Sequence, residues 1–121
     1  MNEKELKSLQ EVCALSGVSR RTVQGYEKAG LVSPVKRNKY GYLLYGESEL
    51  QRIMQIRQYQ RFDFSIKEIK NLIDAPVWIR RESLERKVVE LKAKYDELVN
   101  IIRTAEQLIQ TLENKCEEKM K

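Results

Sequence analysis

The sequence predicts a mainly α-helical protein: a helix-turn-helix head with a small β-hairpin wing, followed by one long coiled-coil helix. Three observations predict it. Two short helical segments meet at a tight glycine turn between residues 9 and 29. A run of aromatic and aliphatic residues around a glycine follows. From Leu84 to Cys116, apolar or seam-compatible residues then recur alternately four and three apart for more than four heptads.

The first helix is announced by Ser8-Leu9-Gln10-Glu11, a capping box in which Ser8 and Glu11 can satisfy each other's orphan amides. Ser16-Gly17-Val18 breaks it. Ser19 is a suitable N-cap for a second helix over Arg20 to Ala29, and Gly30 stands where a left-handed residue would end it. On that helix Val23 has the inward spacing, while Arg20, Arg21, Thr22 and Gln24 face out.

Pro34 and three basic residues lead into Tyr40-Gly41-Tyr42-Leu43-Leu44-Tyr45, read as a short hairpin forming a basic wing. Glu47 to Phe62 carries Leu50, Ile53, Ile56 or Arg57, and Tyr59 or Gln60 at mixed helical spacing. A second capping box, Ser65 with Glu68, precedes Ile66, Ile69, Leu72 and Ile73. Pro76 interrupts the pattern, so the expected organisation is a head at 1–73, a connection at 74–80, and a dimerisation helix with a short tail at 81–121.

The last segment has nine basic and nine acidic residues and no Gly or Pro. Its seam is Leu84, Val88, Leu91, Tyr95, Leu98, Ile102, Ala105, Ile109, Leu112 and Cys116. About 35 helical residues extend roughly 50 Å, too far for the small head to cover, so the seam calls for a partner helix. The flanking positions change from Lys87 and Lys94 to Ile101 and Leu108, which widens the apolar stripe. The widened part is expected to pack on the partner's second helical pair or its connection, around Leu72, Ile73 and Trp78.

The net charge of +5 is concentrated. Arg20, Arg21, Lys28, Lys36, Arg37 and Lys39 face a single acid, Glu27, within twenty residues, and the remainder of the chain balances to zero. A compact basic cluster on a neutral background favours binding to a polyanion through counterion release. The chain has no His, which removes the commonest general base and metal ligand and weighs against an enzyme. At 121 residues a large effector or catalytic domain does not fit. Cys13 and Cys116 lie far apart, and neither a signal peptide nor a membrane-spanning apolar run is present, so a cytoplasmic location with reduced thiols is expected.

Leu9-Gln10-Glu11-Val12, Gly17-Val18-Ser19, Tyr26-Glu27-Lys28-Ala29-Gly30-Leu31-Val32, Pro34, Gly41-Tyr42, Leu44-Tyr45 and Phe64-Ser65-Ile66-Lys67-Glu68-Ile69 together resemble the amino-terminal domain of the MerR family of bacterial transcription regulators. The likeness covers residues 8 to 73, and the coil after them matches the family's dimerisation helix in kind and placement. It implies a winged helix-turn-helix homodimer joined by an antiparallel coiled coil, binding double-stranded DNA at a promoter and distorting its long spacer to realign the elements read by RNA polymerase. Two departures stand out. The usual Arg-Tyr-Tyr is Gln24-Gly25-Tyr26 here, and the usual Gly-Tyr-Arg of the wing is Gly41-Tyr42-Leu43. Gly25 inside a helix costs roughly 1 kcal/mol relative to Ala, which is easier to explain if the backbone must approach something closely.

Candidate DNA-contact residues are therefore Ser19, Arg20, Arg21, Thr22, Gln24, Tyr26, Lys36, Arg37, Lys39 and Tyr42. Arg20, Arg21, Thr22 and Gln24 are candidates for base edges, since Arg reads guanine and Gln reads adenine; contact with phosphate or solvent alone is the alternative for each. Tyr26 and Tyr42 are expected at phosphates, and Tyr45 in packing. No cofactor or metal site is expected, because Cys116 has no second thiol after it and a lone thiol holds a soft metal poorly; Cys13 reads as a core residue. A rival reading is a coiled-coil adaptor whose basic head binds an acidic protein partner. The sequence does not identify a small-molecule effector.

Overall fold

A computed structural model describes residues 5–120; residues 1–4 of the expected head and 121 of the expected tail lie outside them. The elements are β1 (Lys7–Ser8), α1 (Leu9–Ser16), α2 (Arg20–Lys28), β2 (Lys36–Arg37), β3 (Leu43–Tyr45), α3 (Glu47–Arg61), α4 (Ile66–Leu72) and α5 (Val77–Met120). The chain divides into two compact units, one ending at Pro76 and one beginning at Val77.

Local chemistry sets the helix starts. Ser8 Oγ accepts from Glu11 N–H at 3.1 Å while Glu11 accepts from Ser8 N–H, and Ser65 with Glu68 repeats the arrangement at α4. Ser19 caps α2 by accepting from Thr22 N–H at 3.1 Å. Gly30, at φ +79°, follows the end of α2 as expected.

The first unit's core is formed by Val12 of α1, Val23 and Tyr26 of α2, Tyr45 of β3, Ile53 and Ile56 of α3, and Ile69 of α4. These residues recur at helical spacing, so each helix turns one apolar stripe inward. Tyr45 donates its hydroxyl proton to Glu27, and burial followed by this bond pushes the phenol well above its ordinary value.

Three expectations are corrected. The sheet has three antiparallel strands in the order β1-β3-β2, with Lys7 opposite Tyr45 and Lys36 opposite Leu44, rather than a lone hairpin. The turn falls at residues 38–42, so Tyr40, Gly41 and Tyr42 lie outside the strands. The connection is shorter than 74–80: α5 begins directly after Pro76, because proline disrupts a helix interior but is tolerated at its start.

Within the second unit, α5 runs 44 residues, about 66 Å at helical rise. Seam residues Val88, Leu91, Tyr95, Leu98, Ile102, Ile109 and Leu112 are exposed, and Leu84 is half-buried. Ile101 and Leu108 are also exposed. Leu72 and Ile73 are already buried within the single chain, so of the three residues expected to receive a partner's coil only Trp78 is open. Among the described residues no helix is long and apolar enough to cross a membrane.

Candidate nucleic-acid interface

The second helix of the head presents two faces. Val23 and Tyr26 point inward, and Arg21, Gln24, Gly25 and Lys28 form an exposed stripe at i, i+3, i+4 and i+7. That polar face carries two cations and one amide. Ser19 and Thr22 stand at the helix start, their hydroxyl oxygens 2.8 Å apart and hydrogen-bonded to each other, so both serve the cap.

Arg20 lies on the side of α2 toward the wing. It lines a groove of about 540 Å³ together with Ser8, Arg37, Asn38, Tyr42 and Leu43. The fold thus gathers Arg20, Arg37 and Tyr42, which are 17 and 22 residues apart from Arg20 in sequence, around one concave surface. Two guanidiniums and a phenol hydroxyl offer charge-assisted and neutral donors suited to phosphate oxygens.

Asn38, which sequence reasoning passed over, builds the wing. Its Oδ1 accepts from Tyr40 N–H at 2.9 Å and Tyr42 N–H at 3.0 Å, and its own N–H donates to the Tyr42 carbonyl at 2.8 Å. Arg37 Nη1 donates to the Gly41 carbonyl at 2.7 Å across the same turn. The signal was present as an Asn followed three residues later by a Gly, a pattern that favours side-chain-closed turns. Lys39 and Tyr40 project from the tip, with the ammonium 5.1 Å from the ring centroid. Tyr42 is 69% exposed, and Lys36 is exposed on β2.

Tyr26 departs from the expectation. It is 2% exposed, and its hydroxyl donates to Gln60 Oε1 at 2.5 Å. Burial raises its pKa, the charge of Arg57 opposing this. The aromatic side of α2 is therefore needed for docking on α3, and Tyr26 belongs to the core. Arg57 fixes the other end of the motif, donating from Nη1 to the Ser16 carbonyl at 2.6 Å where α1 stops. Cys13 is half-buried and Cys116 exposed, both as free thiols, and among the described residues no group of three His, Cys, Asp or Glu could hold a metal ion.

A helix-turn-helix with an outward basic stripe and a structured basic wing defines the winged helix-turn-helix class of fold. The family model described as MerR HTH family regulatory protein matches residues 7–76, and that described as MerR, DNA binding matches residues 50–115. The chain belongs to the MerR family of transcriptional regulators.

It is 31% identical over 97 residues to the HTH-type transcriptional activator mta of Bacillus subtilis, covering 78% of this chain and 38% of that protein. It is 30% identical over 112 residues to the probable heavy metal-dependent transcriptional regulator of Haemophilus influenzae, covering 91% and 88%. The crystal structure of the N-terminus of the Bacillus subtilis multidrug transporter activator matches with a TM-score of 0.73 at 29% identity, covering 85% of this chain and 97% of that one. The chain spans about two fifths of the length of the curated activators mta and TipA.

Proposed function

We propose that the chain acts as a homodimer that binds double-stranded DNA at a promoter, with one α2 in the major groove of each half-site and the wing against the flanking backbone. The exposed stripe of Arg21, Gln24 and Lys28, backed by buried Val23 and Tyr26, carries this reading. Arg21 and Gln24 have the donors that read guanine and adenine edges, and Lys28 is a point charge suited to phosphate. Arg20, Arg37 and Tyr42 hold a phosphate in the shared groove; Lys36 and Lys39 add charge. Tyr26, Ser19 and Thr22 act indirectly, by seating and capping the helix.

The exposed seam from Leu84 to Leu112 supports pairing of two α5 helices, and in an antiparallel pair the two heads stand apart along one DNA face. Distortion of the promoter spacer for RNA polymerase is the regulatory step that this arrangement serves, and a cytoplasmic location accords with it. An adaptor that binds an acidic protein surface needs only the charge. It gives no account of a capped helix with an Arg-Gln face.

Duplexes selected by the purified protein from a randomised pool provide the test. The expected consensus is an inverted repeat with two equivalent half-sites. Recovery of sequences no different from the starting pool, under conditions where the protein is folded and dimeric, would refute sequence-specific binding.

A further inference from the structure

Gly25 is unexplained by the fold. Its φ is not among the left-handed glycines, so the backbone does not require it. A Cβ built there meets nothing within 4 Å, so no packing within the chain requires it either. Glycine is also the poorest helix former apart from proline, so helix stability alone favours almost any other residue at this position.

Its surroundings supply a reason. Gly25 sits within the exposed stripe, with Arg21 one turn before it, Gln24 beside it and Lys28 one turn after it. Three long polar side chains thus border a patch of bare main chain. An α-helix with its side chains is about 10–12 Å across, close to the width of the B-DNA major groove, so the depth it reaches depends on the side chains at the centre of its leading face.

We propose that Gly25 is a specificity-determining position: the edge of a base pair lies directly against the α2 backbone there, and the missing side chain lets Arg21 and Gln24 reach neighbouring base edges. This rests on the reading of α2 as the DNA-facing helix. A methyl group at position 25 would hold the helix away from the groove floor and lengthen the contacts on both sides of it. The flanking charges would still find phosphates, so binding to arbitrary DNA changes little.

The full chain, G25A and G25L are compared in thermal melts, and in binding at one salt concentration to duplexes selected by the wild type and to a random-sequence duplex. G25A is expected to melt higher by about 3 °C, since it gains helix propensity in open space. It should bind the selected duplex at least about tenfold more weakly, the effect of a mismatched base pair, and the random duplex within about threefold of wild type. G25L should lose at least as much on the selected duplex. Wild-type affinity of G25A for that duplex would overturn the proposal, as would a lowered melting temperature. If the wild type itself selects no sequence and shows no salt-dependent binding to the random duplex, the DNA reading fails instead.

Discussion

Arg52 and Asp74 form a two-pronged ion pair, with Nη1 2.7 Å from Oδ1 and Nη2 2.8 Å from Oδ2, while Arg52 Nε donates to the Leu31 carbonyl. One guanidinium on α3 therefore joins the segment behind α2 to the turn that ends the first unit. The bond to Asp74 raises the pKa of Arg52, against the opposing effect of burial. Asp74 is largely exposed, so the ion pair itself is weakened by solvent. Arg52→Ala is expected to cost about 1–2 kcal/mol, mostly through the unpaired carbonyl and lost stem packing, and Asp74→Asn less than about 1 kcal/mol. Urea midpoints check both; equal losses would place the stability in the ion pair.

Gly17 and Arg57 are coupled more tightly. Gly17 has φ +75°, and a Cβ there would lie 2.5 Å from Arg57 Nη1, the atom that holds the Ser16 carbonyl. Gly17→Ala should destabilise by at least about 1–2 kcal/mol from backbone strain alone, with further loss from the displaced guanidinium. Chemical denaturation measures it, and a neutral substitution would mean that the turn relaxes freely.

The buried phenol of Tyr45 predicts an alkaline limit. Its pKa is raised above the ordinary value of 10 by burial and by Glu27. Above pH 10 the unfolded chain therefore releases this proton while the folded chain keeps it, and stability falls as pH rises. Tyr45→Phe should lower stability at pH 8 by removing the bond, yet flatten the decline from pH 9.5 to 11. Denaturant midpoints across that range test it, and an unchanged slope would mean that other groups carry the alkaline loss.

Much of the head is legible in sequence because its signals are local. Ser8, Ser19 and Ser65 act within three residues of themselves, and the stripe Leu50, Ile53, Ile56 lies on one helix. The parts that were not legible depend on distant partners. β1 is two residues long and exists only through its pairing with β3. Tyr26 lies three residues after Val23 on the inward face of α2, so its burial was readable by the same spacing; what the motif did not show is that its hydroxyl donates to Gln60, 34 residues away. The wing turn moved because one side-chain oxygen of Asn38 closes it, an effect stronger than the aromatic alternation that suggested strand. Asp63 holds φ +74° between α3 and α4, where an Asp gives only a weak sign of left-handed backbone. Of the candidate site, the Arg-Gln face of α2 was readable by periodicity; the meeting of Arg20 with Arg37 and Tyr42 required the fold.

The proposed dimerisation through α5 rests on its exposed seam. Full-length protein should sediment as a dimer at micromolar concentration, and Leu98→Lys with Ile102→Glu should give a folded monomer that loses most of its DNA affinity, because one head makes half the contacts. A dimer that survives both substitutions would place the interface elsewhere.

Binding of DNA by the basic face of the head is read out by the salt dependence of affinity for a random-sequence duplex. Each phosphate neutralised adds about −0.9 to the slope of log K against log salt. With Arg20, Arg21, Lys28, Lys36, Arg37 and Lys39 available in each protomer, DNA binding by this face requires a slope steeper than about −4 for the dimer, made shallower when Arg37 and Lys39 are replaced by Ala. Affinity that is weak and flat with salt, and indifferent to those substitutions, would contradict it.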